Sequence, residues 1–167
     1  MLDNKTLLWL SEKQTKLDSY ISNKKQFIVD DEILNKKIIA FLVELGEYAN
    51  EERVFKYWSN KKEAELSVQL DEYIDCTHFL ISIGNQLNYD FNKFEYENLM
   101  FKNNIDAYFN IVNKLANFIN NKNHTTYADL LNSFLNICSV KNYSQKEIID
   151  AYNIKNEINF KRQDNNY

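Results

Sequence analysis

The sequence predicts an all-α fold, a single-domain helical bundle of about six helices. Three observations predict it. The chain has no proline and only two glycines, Gly46 and Gly84, so it lacks the residues from which sheet turns and phosphate-cradling loops are made. Apolar residues recur at helical spacing along most of its 167 residues. The breaks between these stretches are short and rich in Asn, Lys and Ser, with no linker or low-complexity tract, so residues 1–167 form one domain.

The first helix is expected from about Lys5 to Ser22, with Leu7, Leu8, Leu10, Leu17 and Ile21 on its apolar side. The second spans about Asp31 to Trp58, with Ile38, Leu42, Leu45, Ala49 and Phe55 inward. The third spans about Glu63 to Tyr89, carrying Leu66, Leu70, Tyr73, Phe79 and Leu80. A fourth covers about Phe94 to Asn120, with a break near Asn103-Asn104 and an inner face of Ile105, Phe109, Val112 and Phe118. The fifth runs from about Thr125 to Val140. The sixth opens on Ser144-Gln-Lys-Glu147, a capping box in which each side chain satisfies a free backbone N–H, and continues to about Gln163.

Composition bounds the partners. A net charge of −4 and a pI near 5.3 argue against general nucleic-acid binding, which wants a basic face. No apolar run of about 18 residues exists, and the N-terminus lacks the pattern of a signal peptide, so no membrane association and a cytoplasmic location are expected. Cys76 and Cys138 fall in apolar stretches without metal-ligand spacing and read as buried free thiols. The abundance of Asn, Lys and Ile fits AT-rich codons, as in a low-GC bacterium or its phage.

The second and third helices carry the chemistry. Glu44-Leu-Gly-Glu47 and Glu72-Tyr-Ile-Asp75 each place two carboxylates on one helix face, beside the apolar runs Phe41-Leu-Val and Phe79-Leu-Ile. Packing those stripes together gathers four carboxylates, which repel unless a cation lies between them. A hard divalent cation such as Mg²⁺ suits the site, and magnesium held this way usually works on phosphates. Two other readings compete. Carboxylates three apart are common on solvated helices, and Asp75 with His78 resembles half of a di-iron site. His124, in a polar break, does not supply the other half, so His78 reads as a packing or supporting residue. On the last helix, Lys155, Asn159 and Arg162 share one face and suit a polyphosphate, although basic residues also favour any helix C-terminus.

Together, ELGEYANEERVFKYWS, DEYIDCTHFLISIG and the tail YNIKNEINFKRQDNNY resemble the dimeric, all-α dUTP pyrophosphatases within the wider MazG-like nucleotide pyrophosphohydrolases. The resemblance runs in order from Gln14 to Tyr167, and the K-N-x-x-N-x-x-R-Q-x-x-x-Y tail is its most specific mark. It implies hydrolysis of dUTP to dUMP and pyrophosphate, with dUDP as a further candidate substrate, by a homodimer in which both subunits build each site. It further implies that Glu44, Glu47, Glu72 and Asp75 hold two or more Mg²⁺ ions, and that Lys155, Asn159 and Arg162 hold the phosphates. Glu47 is the candidate to position or deprotonate the attacking water. Gln14 and Asp18 match the element that touches the base, Phe55 the position stacked on uracil, and Trp58 the aromatic three residues later. The family tail usually has Gly where this chain has Asn166, a residue that tolerates left-handed backbone angles. A related pyrophosphatase with different base choice, or a non-enzymatic helical interaction protein of the same fold, would share much of this pattern.

Overall fold

The computed structural model describes residues 2–165; Asn166 and Tyr167, which close the family-like tail, lie outside them. Six helices form: α1 Asn4–Lys25, α2 Asp31–Glu52, α3 Leu66–Gln86, α4 Asn104–Asn120, α5 His124–Lys141 and α6 Gln145–Asp164, with one 3₁₀ turn at Phe91–Lys93 and no strand among the described residues. Most begin where a short polar side chain caps the free N–H groups: Asp3, Asp30, Asn103, Asn123 and Ser144 all accept from the first turn. Ser144 and Glu147 form the expected capping box.

Helix α3 is the axis of the bundle. It packs against α2, α1 and α6, while α4 pairs with α5. Its residues from Tyr73 to Gly84 are almost all buried, and Tyr73 stacks on Phe134 of α5 at 4.6 Å between ring centroids. Gly84 is required there by space: a Cβ would run into Tyr127 and lie 2.7 Å from the Phe91 ring. Cys76 and Cys138 are buried free thiols.

Three expectations need correction. Helix α2 stops at Glu52, six residues short, because Arg53 turns into the left-handed region (φ 61°) and its guanidinium binds the Lys61 carbonyl and Ser59 Oγ. Phe55 and Trp58 therefore lie in a loop rather than on the helix. Helix α4 starts only at Asn104, since residues 94–103 run without helix along α5, where Asn132 and Asn136 bind the backbone of Glu97 and Leu99. Its inner face is Ala107, Ile111, Leu115 and Phe118; of the four residues expected there, Ile105, Phe109 and Val112 point outward. Leu42 of α2 and Leu66 of α3 are likewise exposed.

Candidate active site

The two acidic pairs meet where α2 crosses α3. Glu44, Glu72 and Asp75 each bring an oxygen within 4.8 Å of the others. Glu47 stands exposed at the rim, close enough to raise the proton affinity of Glu44 and Glu72. Burial first, then Asp75, Glu47 and Glu72, pushes Glu44 up to about 7. Glu72 and Asp75 are raised as well, again chiefly by burial.

A cation is bonded into this cluster. Lys155 of α6, 4% exposed, sets its Nζ 2.6 Å from Asp75 and 2.7 Å from Asp71. Burial alone would lower its pKa; the bonds to Asp71 and Asp75 outweigh that and raise it. Arg162, about two turns further along α6, is exposed and lowers the proton affinity of Asp75.

A cavity of about 450 Å³ opens beside the cluster. Glu44 and Asp75 form one side of it, and Asn159, Arg162 and Gln163 of α6 another. Gln14 and Asp18 of α1, with His78 and Ser82 of α3, make its polar end, and Leu17, Ile21, Phe27, Val29, Ile33 and Phe79 add apolar walls. Lys37 of α2 lies 3.8 Å from Asp18.

The polar end is a fixed relay. Buried Gln14 accepts the Tyr152 hydroxyl at 2.9 Å and donates to Asp18 Oδ1 at 2.8 Å, which settles its orientation. Ser82 donates to Asp18 Oδ2 at 2.5 Å. The same Gln14 oxygen lies 2.7 Å from His78 Nδ1, so the proton of that contact must come from the histidine. Burial holds His78 down at about 3, hence neutral in ordinary buffers. Its Nε2 is then a lone-pair acceptor, buried and without a hydrogen-bond partner. His78 also stacks on Tyr152, with ring centroids 4.3 Å apart.

The structure thus brings Gln14, Asp18, Glu44, Asp75, Asn159 and Arg162 around one cavity, with Glu72, Glu47 and Lys155 adjoining it. Phe55 and Trp58 stand apart. They are 45% and 65% exposed, touch each other, and do not line the cavity. The cause is the early end of α2, which takes both rings off the helix axis. Sequence reading gave His78 only a supporting role and did not single out Ser82, Lys37 or Asp71. Of these, only the Asp75/His78 spacing offered a signal, because the partners of all four are remote in sequence.

The family described as dUTPase matches residues 6–167. The chain belongs to the dUTPase family. As a member it is a nucleoside triphosphate pyrophosphohydrolase, a dUTP diphosphatase. No curated protein sequence matches it. No helix of this dUTPase, among the described residues, is long and apolar enough to cross a membrane.

Does the cluster suit the divalent metal that dUTPases use? Its donors are carboxylate oxygens alone, the choice of a hard cation. Burial and then the neighbouring carboxylates lift Glu44 to about 7, and a bound cation would offset both. The donor set fits, and His78 is not among the residues that converge there.

Proposed function

We propose that this enzyme cleaves dUTP to dUMP and pyrophosphate with Mg²⁺ ions held by Glu44, Glu72, Asp75 and Glu47. The observation that carries this reading is the strained carboxylate cluster forming the wall of a nucleotide-sized cavity. When bound, the ions would offset triphosphate charge and acidify a water. Glu47, at the open rim, orients that water and takes its proton. Lys155, Asn159 and Arg162 face the cluster from α6 and stabilise charge building on the leaving pyrophosphate.

Base choice falls to the relay at the other end. Uracil N3 carries a proton, whereas cytosine N3 is an acceptor. His78 Nε2, free and fixed as an acceptor, suits the former and would face the latter lone pair to lone pair. Gln14 has its oxygen bonded twice and one amide hydrogen given to Asp18, so it and Asp18 serve by holding the histidine's tautomer. For Phe55 or Trp58 to touch the base, the loop after α2 must move inward or a second copy must supply them.

We propose a homodimer, built on the outer stripe of α4. Ile105, Phe109, Val112, Ala116 and Ile119 recur there at helical spacing and are all exposed. The only charged residues of α4 are Asp106 and Lys114, and Lys114 is bound to Asp129, so two copies of this face meet without like-charge repulsion.

The deciding experiment incubates the protein with dUTP, dCTP, dTTP, dATP, dGTP and UTP, with and without Mg²⁺, and quantifies pyrophosphate. Mg²⁺-dependent release from dUTP alone is expected. Release from several nucleotides would assign a broader pyrophosphatase, and none from folded, Mg²⁺-binding protein would point to a binding role.

A further inference from the structure

Lys155 is held in an arrangement that the phosphate-binding role does not by itself explain. Its ammonium is bonded to Asp75, a carboxylate proposed to take the metal, at 2.6 Å, and to Asp71, which is not, at 2.7 Å. The three groups differ in exposure: the side chains of Lys155, Asp75 and Asp71 are 5%, 17% and 46% exposed. A divalent ion on Asp75 competes with the ammonium for the same oxygens and repels it. With Asp75 as its only partner, Lys155 would either block the ion or be driven off the cluster. Asp71 removes that conflict. It lies one residue before Glu72 on α3, outside the group of three converging carboxylates, and can keep the ammonium once Asp75 turns to the ion.

We infer that Asp71 is a positioning residue: it anchors Lys155 beside the cluster so that a divalent cation can occupy Asp75 without expelling the amine that serves the phosphates. The inference rests on reading Glu44, Glu72 and Asp75 as cation ligands. Asp71 then acts through Lys155, not as a ligand and not as a general negative charge. The two alternatives separate in a double-mutant cycle, because an effect exerted through Lys155 disappears when Lys155 is gone.

The test is calorimetric titration of Mg²⁺ into the wild-type protein, Asp71→Asn, Lys155→Met and the double variant, with Tm measured for each. In the wild-type background, Asp71→Asn should weaken Mg²⁺ binding about tenfold, since the freed ammonium falls back on Asp75. In the Lys155→Met background the same change should cost less than about twofold. At saturating Mg²⁺ the Asp71→Asn enzyme should keep a raised KM for dUTP with kcat little changed, and Asp71→Glu should recover most of the loss. An equal loss in both backgrounds, no loss in either, or a KM restored by Mg²⁺ alone overturns the inference. Should Lys155→Met fail to fold, Asp71→Asn against Asp71→Glu at saturating Mg²⁺ decides it. If the wild-type protein binds no Mg²⁺, the reading of the cluster itself fails, a result distinct from any of these.

Discussion

Helix α2 carries two buried acidic environments about two turns apart, and they are built on opposite principles. Glu52 has its side chain 1% exposed, yet every need is met: Tyr108 donates at 2.5 Å, Asn104 donates, and Lys141 stands 3.3 Å away, itself tied to Glu63 at 2.8 Å. Glu44 is less buried and worse off, with Glu47, Glu72 and Asp75 for neighbours and one lysine shared among them. The first carboxylate is balanced by the chain itself and ties α2, α4 and α5 together. The second has like charges for near neighbours, the feature on which the proposed cation site rests.

The largest expected effect separates the two by function. Glu44→Gln should lower kcat on the order of 10³-fold, about 4 kcal/mol in the barrier, while metal-free Tm holds or rises because a like charge is gone and the Lys155–Asp75 ion pair is left intact. A large drop in Tm would make the cluster structural after all. Next comes Glu52→Ala, which strands Tyr108 and Asn104 and breaks a buried ion pair. It should cost about 3 kcal/mol in denaturant unfolding, with activity per folded molecule retained. Lys141→Met is milder, about 1 kcal/mol, since Glu52 keeps its other two donors.

The smallest effect is a pH dependence. Glu44 titrates near 7 when folded and near 4.5 when not, so the folded chain holds the extra proton. That contribution is complete below about pH 4.5 and is lost as pH rises through 7. Metal-free protein should therefore lose a few °C in Tm between about pH 5 and 8, and saturating Mg²⁺ should flatten the slope. A Tm that rises over this window in the absence of metal would contradict the comparison.

How much of this could be read from the chain depended on the distance over which the information acts. The capping box at Ser144 and the two acidic pairs are local and were legible. The end of α2 was not, because Phe55 and Trp58 continue the apolar rhythm past the point where Arg53 turns the backbone. Helix α4 misled for a related reason: it carries two apolar stripes, Ala107-Ile111-Leu115-Phe118 and Ile105-Phe109-Val112, and periodicity alone does not say which one is inside. The Lys155–Asp71 pair and the relay from Tyr152 through Gln14 to His78 join residues far apart in the chain, so nothing in the local sequence announced them.

The contact at Gly84 has a bearing on catalysis that its place in the core conceals. It is where backbone meets ring, with Tyr127 also bonded to the Leu80 carbonyl at 3.0 Å. Such a contact works as a detent: it fixes how far α3 can slide along α5. Glu72 and Asp75 are rigidly attached to the same helix, so their height along the bundle is gauged from a point about 14 Å from Asp75. A carboxylate cluster drawn from two different helices needs each of them held in register, and a single methyl group at this position would reset one of the two.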